Sequence, residues 1–271
     1  MEIFQYEFIQ NALLSGLFAS IACGIIGSIV VSKRIVSICG GIAHASFGGI
    51  GLGYLLKINP SFGAVIFGIL SSLGIGIISK KGNQTEDTSI AIFWSAGMSL
   101  GIIFISLSKG YAPDLFTYLF GNILAVNRFD LMLICVLDIL LGIVIICFYK
   151  EILAVCFDEE FLQVRGLPVF TMYLMLLFLV SITVVILMKI IGIILVIALF
   201  SLPAAIARKF TRTLKSMIGL SIVLCMIFIT SGLVISYIFN LPSGAVIIII
   251  STIVFLMLDL FKKFIALIPG R

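Results

Sequence analysis

Phe170-Thr171-Met172-Tyr173-Leu174-Met175-Leu176-Leu177-Phe178-Leu179-Val180-Ser181-Ile182-Thr183-Val184-Val185-Ile186-Leu187-Met188 carries no charge from end to end. Its apolar residues are continuous rather than alternating, so it reads as a helix and not as a barrel strand. At about 1.5 Å per residue a helix of this length spans about 28 Å, close to the ~30 Å hydrocarbon layer of a bilayer. The same pattern recurs along the chain, at 9–32, 40–56, 61–79, 89–107, 130–149, 190–206, 216–238 and 245–261.

The composition demands that reading. The 271 residues are 62% hydrophobic and 11% charged, with a mean hydropathy of +1.34, whereas a soluble domain needs about 25% charged residues to cover itself. We expect an all-α polytopic membrane protein with one transmembrane domain over 1–271. Nine spans is the simplest count. Eight is the alternative, because the runs at 40–56 and 190–206 are near the lower limit of about 17 residues for a crossing. The first residues, Met1-Glu2-Ile3-Phe4-Gln5-Tyr6-Glu7, hold no basic cluster and do not resemble a cleaved signal.

Lysine and arginine decide the expected orientation. With nine spans and the N-terminus outside, 13 of the 17 fall on the inner side, including Lys33, Arg34, Lys80, Lys81, Lys150, Arg165, Arg208, Lys209 and Lys215. Lys57, Lys109, Arg128 and Lys189 make up the outer 4. The C-terminus is then cytoplasmic, and the net charge of +5 belongs to inner loops rather than to nucleic-acid binding. The six cysteines form no CxxC pair and read as small buried hydrophobes.

Several classes of chemistry lack their residues. No GxxxxGK[ST] loop cradles a nucleotide, so any ATP hydrolysis belongs to another chain. A single histidine rules out HExxH and a His-rich closed metal site. Asp138 is the one mid-span carboxylate, which disfavours a proton-coupled carrier. His44 and Ser46 diverge on a helix, so they make no hydrolase pair.

Three interruptions in the apolar pattern carry the functional information. In Phe157-Asp158-Glu159-Glu160-Phe161-Leu162-Gln163-Val164-Arg165-Gly166-Leu167-Pro168, Asp158 is placed to cap a short helix and Glu159 and Glu160 suit its positive end. Arg165 lies near the other end, and Gly166 suits a left-handed stop before Pro168. Phe157, Phe161 and Val164 share a face. Taken alone, the segment suits a helix resting on lipid headgroups; docking of a cytoplasmic partner is the other reading. In Gly40 to Tyr54, small residues at 41, 45, 48, 49 and 53 permit close helix approach. His44, Gly48 and Gly51 share a face there, which serves equally as a tight helix contact or as a pore wall with an imidazole metal ligand. In Ile191 to Arg208, Pro203 breaks the backbone ladder beside Ala204, Ala205 and Ala207. It marks either a kinked structural helix or a mobile element lining a path.

At these segments the chain resembles the permease subunits of metal-importing ABC transporters, the zinc, manganese and iron family, over nearly its whole length. The resemblance rests on Gly41-Ile42-Ala43-His44-Ala45-Ser46, Glu86-Asp87 and Phe120-Gly121-Asn122-Ile123-Leu124. It continues through Phe157-Asp158 to Gly166, Gly192 to Ala205, and Leu241-Pro242-Ser243-Gly244-Ala245. It implies a multi-pass protein of the bacterial cell (inner) membrane, a homodimer of two permease copies, ATPase subunits docked on short cytoplasmic helices, and an extracytoplasmic metal-binding protein that delivers the ion. The permease itself is then no enzyme and binds no tight cofactor. The cargo is a divalent metal, zinc slightly ahead of manganese or iron, with a siderophore or cobalamin as the alternative. On this footing His44 is a transient metal ligand. Asp158, Glu159, Glu160, Phe161, Arg165 and Gly166 couple to the ATPase, while Gly41, Gly48 and Pro203 serve pathway and helix packing. Many relatives in the family carry Asp four residues before this histidine, where this chain has Gly40. Either the site lies elsewhere, or His44 acts with backbone, Asn, Ser or water oxygens.

Overall fold

The computed structural model describes residues 7–108, 120, 121 and 123–266. Among them there is no strand, and nine helices are long and apolar enough to cross a membrane. They are α1 (Glu7–Lys33), α2 (Val36–Leu56), α3 (Pro60–Lys81), α4 (Glu86–Leu107) and α5 (Arg128–Cys147), followed after two short helices by α8 (Val169–Ile191), α9 (Ile193–Phe210), α10 (Leu214–Phe239) and α11 (Ser243–Ala266). The short pair, α6 (Tyr149–Phe157) and α7 (Glu159–Val164), joins α5 to α8. The expectation of nine spans is met. The sequence pattern took 150–168 as one charged connection with a single helix; α6 is the addition. It forms because Ile152, Ala154, Val155 and Cys156 are buried on its inner side.

Local chemistry explains the breaks. Arg34 takes a left-handed φ of 65°, and the buried Ile35 donates its N–H to the Val30 carbonyl, so α1 reverses into α2 within two residues. Lys57 ends α2 with φ 57°, Asn59 caps the next helix through the Ser61 N–H, and Pro60 stands at its first position, where its missing N–H costs nothing. Thr85, Asn127 and Thr213 cap α4, α5 and α10. Gly192 separates α8 from α9 alone, at φ 86° and ψ 155°, a conformation confined to glycine. A Cβ there would lie 2.3 Å from the Phe120 carbonyl carbon.

Helices α1, α2, α8 and α9 form the buried centre, with most of their residues inside the bundle, whereas α4, α5, α10 and α11 line its outside. Lipid-facing leucines, isoleucines and phenylalanines are therefore exposed on the outer helices, for example Ile102, Ile146, Phe239 and Leu260. The ends of α1, α3 and α9 share one side with α7: Glu159 meets both Lys33 and Lys80, and Arg208 donates to the Val31 carbonyl. Lys209 pairs with Asp259 of α11 on the same side, at 2.7 Å. All six cysteines are free thiols. In α6, burial pushes the Cys156 thiol up to about 11, although the Lys33 charge works against it.

Candidate functional site

The glycines of α2 divide between two neighbours. Gly49 and Gly53 approach α3: a Cβ on Gly49 would sit 1.9 Å from the Gly63 carbonyl oxygen, and one on Gly53 would sit 2.6 Å from Pro60 Cα. Gly41, Gly48 and Gly51 turn towards α4. A Cβ on Gly41 would meet Ile90 at 2.6 Å, and one on Gly51 would meet the Gly101 oxygen at 2.5 Å. Gly48 is wedged between Phe67 of α3 and the Gly97 carbonyl of α4. Within one protomer, Gly48 and Gly51 make a tight helix contact.

His44 sits at the edge of that contact. Its ring stacks on Trp94 of α4, with centroids 4.2 Å apart and planes 5° from parallel, and Phe47 lies on its own helix at 6.2 Å. The stack fixes the imidazole plane. Its Nδ1 is buried and has no hydrogen-bond partner. Trp94 is 41% exposed, so the pair reaches the outer surface of the protomer. Gly40, one turn earlier, has room: a Cβ would touch only Ile197, at 3.6 Å. Among the described residues no group of three or more His, Cys, Asp or Glu side chains is placed to hold a metal ion. An ion at His44 would therefore draw its other ligands from backbone, hydroxyl or water oxygens or from outside the protomer.

Helix α7 takes the form anticipated for it. Asp158 accepts from the Phe161 N–H at 3.0 Å. Gly166, at φ +69°, donates to the Gln163 carbonyl, and Leu167 donates to Leu162, closing the helix from its far end. Leu162 is buried and anchors the helix, while Phe157, Phe161 and Val164 are exposed, Val164 at 88%. Arg165 lies over the Phe161 ring at 4.9 Å. Glu160 faces outward. Glu159 does not: it accepts from Lys33 of α1 and from Lys80 of α3, the latter at 2.9 Å. Burial alone would raise the Glu159 carboxyl, but hydrogen bonds and charge from Lys33 and Lys80 outweigh it and hold it below the usual value.

Pro203 is buried in α9, and lacking an N–H it leaves the Leu199 carbonyl without its helical donor. The Cys225 thiol of α10 donates to that oxygen at 3.7 Å. Ala204 and Ala207 pack on Met217. These contacts give the Pro203 break a packing role. Asp138 stands in mid-α5 with both carboxylate oxygens buried and without a partner. Four partner residues were invisible in the sequence pattern: Trp94 for His44, Lys33 and Lys80 for Glu159, and Cys225 for the Pro203 break. The sequence does carry one signal for the α2 contact: Gly97 and Gly101 stand four residues apart in α4, the small-xxx-small spacing that α2 packs against. Asn122, quoted above among the residues of resemblance, lies outside the described residues.

A family model described as the ABC 3 transport family matches residues 5–262. An uncharacterized membrane protein of Synechocystis sp. is 45% identical over 97% of this chain and 94% of its own length. The manganese transport system membrane protein MntC of Listeria monocytogenes is 37% identical over 96% of this chain and 92% of its own. Among solved structures, PsaBC from Streptococcus pneumoniae in complex with Fab superposes with a TM-score of 0.83 at 32% identity, covering 94% of this chain and 92% of that one.

Proposed function

Because the chain belongs to the ABC 3 transport family, we propose that it is the membrane subunit of an ATP-driven importer of divalent metal ions, with manganese as the cargo. The observation that carries this reading is α7. It is too short to stand alone, yet it is capped at both ends and anchored by Leu162, and it turns Phe161 and Val164 outward beside Phe157, the exposed last residue of α6. That is a rigid apolar knob held for a partner. The partner is a cytoplasmic ATPase subunit, which places the α7 side of the bundle, with its lysines and arginines, in the cytoplasm. The N-terminus is then outside, where a metal-binding protein delivers the ion.

The protein supplies a path and not a trap. Two permease copies bring their exposed Trp94 rings, with the half-buried His44 stacked on each, to a shared pathway, and the His44 imidazole offers one neutral nitrogen ligand. The rest of the shell is oxygen. A conduit must release its ion as well as accept it, so a weak site is adequate. The oxygen ligands that dominate such a shell suit manganese. Zinc, placed slightly ahead on family resemblance, gains no support from the relatives, and the Listeria relative's name specifies manganese; neither does it point to a siderophore or cobalamin.

The test is reconstitution of the permease with its ATPase in vesicles, with ⁵⁴Mn²⁺ presented on the outer face and unlabelled Zn²⁺ or Mn²⁺ as competitor. ATP-dependent uptake of ⁵⁴Mn²⁺ is expected, with Mn²⁺ the better competitor. His44→Ala should cut uptake at least ten-fold in an assembled complex. Full uptake by that variant would make His44 a packing residue, and no uptake by the unaltered complex would overturn the transport reading.

A further inference from the structure

Glu159 lies in the middle of a chain of polar contacts that runs along the α7 side of the bundle. Its carboxylate accepts from Lys33, the last residue of α1, and from Lys80, at the end of α3. The Lys80 ammonium also stands over the Tyr173 ring of α8, 5.2 Å from the centroid. The Tyr173 hydroxyl donates to Glu86, the first residue of α4, at 2.9 Å. Tyr173 is wholly buried and the Lys33 side chain is 15% exposed, so these ends of the chain are sheltered, whereas Lys80, at 36%, is open to water. One side chain of the short helix thus reaches the ends of α1 and α3 directly, α8 through Lys80, and α4 through Lys80 and Tyr173 in turn.

Those are the helices that hold the candidate metal residue. Helix α1 continues into α2 through only Arg34 and Ile35. Helix α3 meets α2 backbone to backbone at Gly49 and Gly63, and α4 does so at Gly51 and Gly101. Helix α4 also carries Trp94, against which His44 is stacked. A displacement of α7 would be absorbed in its flanking turns if the helix were held only by Leu162 and its caps. Held by Glu159, it is transmitted to the unit that carries His44.

We propose that Glu159 is a positioning residue that transmits movement of α7 to the α2–α4 unit through Lys33, Lys80 and Tyr173, and that it is not part of the surface the ATPase touches. This deepens the transport reading and rests on it. Docking is then the work of Phe157 at the end of α6 and of Phe161 and Val164 on α7, and transmission the work of the inward-facing side of α7.

The experiment measures three quantities on the permease–ATPase complex in vesicles: ATPase retained on purification, ATP hydrolysed, and ⁵⁴Mn²⁺ taken up. For Glu159→Gln we expect the ATPase to be retained and ATP still hydrolysed, with uptake per ATP reduced ten-fold or more. Tyr173→Phe, which removes one hydroxyl, should lower the same ratio several-fold. The triple variant Lys33→Glu, Glu159→Lys, Lys80→Glu rebuilds the two ion pairs with reversed charge but not the contact of Lys80 with the Tyr173 ring, and should recover part of the ratio that Glu159→Lys alone loses. Lys81→Gln removes a neighbouring charge that lies over Phe170 and should leave the ratio unchanged. Loss of the ATPase in Glu159→Gln would make this residue a docking contact, and an unchanged uptake-to-ATP ratio would remove it from transmission; either result overturns the proposal. Failure of the unaltered complex to take up the ion sinks the transport reading itself and is seen separately.

Discussion

Replacing Gly49 by alanine adds a single methyl group where α2 meets α3, and the structure specifies its cost. The new Cβ would stand 1.9 Å from the Gly63 oxygen and 2.2 Å from its carbonyl carbon. Both are backbone atoms in the first turn of α3, so no rotamer change relieves the clash. Ordinary contact begins at 3.4 Å, so the helices must part by about 1.5 Å. The opposing effect is the helix propensity of alanine over glycine, worth up to about 1 kcal/mol. Overpacking of a tight contact costs about 1–3 kcal/mol, and here the strain spreads along a whole interface that also includes Gly53 and Pro60. The net expectation is a destabilisation of about 1–2 kcal/mol, read as a fall of several degrees in the thermal midpoint of the detergent-solubilised protein.

The comparison that makes this decisive is Gly142→Ala in α5, where a Cβ meets nothing within 4 Å. There propensity acts unopposed, and the midpoint should hold or rise. Gly63→Ala should repeat the Gly49 result, since its Cβ would lie 2.1 Å from the Gly49 oxygen. If Gly49→Ala and Gly142→Ala melt together, α2 and α3 are not in backbone contact, and the argument that these helices move as a unit fails with it.

Other expectations are open to simpler measurements. Gly40→Asp should fold, because its Cβ meets only Ile197 at 3.6 Å, and should bind Mn²⁺ more tightly by adding an oxygen ligand one turn from His44; equilibrium dialysis with ⁵⁴Mn²⁺ showing no gain would separate position 40 from the ion path. Gly166→Ala meets no atom but keeps a left-handed φ of +69°, at about 1 kcal/mol, so α7 should fray and ATPase retention fall modestly; full retention would show that the stop does not matter to docking. The ion pair of Glu159 has a defined pH window. Its folded carboxyl is lowered from 4.5, so its stabilisation is complete above that value and is lost as pH falls through the lowered one. Between pH 5 and 8 the deficit in uptake per ATP of Glu159→Gln should therefore be constant, and a deficit that disappears at pH 6 would contradict the pairing. Cys225→Ser keeps a donor for the Leu199 carbonyl and Cys225→Val does not, so the valine variant should be less stable by about 1 kcal/mol or more, and equal melting would show the thiol is filler.

The spans were legible because lipid leaves a chain no choice: each backbone polar group must be satisfied within its own helix, so every crossing needs a long uncharged run. The caps of α7 were legible for the same local reason, since Asp158 and Gly166 act on residues two or three positions away. Helix α6 was not, because its apolar positions 152, 155 and 156 sit among Lys150 and Glu151, and its burial depends on α1 and α8. The partners of Glu159 are separated from it by 126 and 79 residues. From sequence alone Lys33 and Lys80 declared only a side of the membrane. Trp94 was equally silent, because nothing in a tryptophan on an apolar helix names the histidine it stacks on.

The glycines bear on how such a bundle can move. A helix pair separated by side chains can slide, because rotamers adjust as the ridges pass. Helix α2 meets α3 at Gly49 and α4 at Gly51 through backbone alone, and backbone has no rotamers, so sliding either pair would drive carbonyls into one another. The α2–α3–α4 group is therefore a rigid body that must tilt or shift as a whole, with His44 and Trp94 keeping their stack. The rest of the molecule meets this body chiefly through side chains: Ile197 against Gly40, Val185 against Gly68, and the ion pairs of Glu159. Relative movement is cheapest there, between the glycine-sealed helices and the α1, α8 and α9 core. Glu159 spans that boundary, with Lys33 on one side and Lys80 on the other.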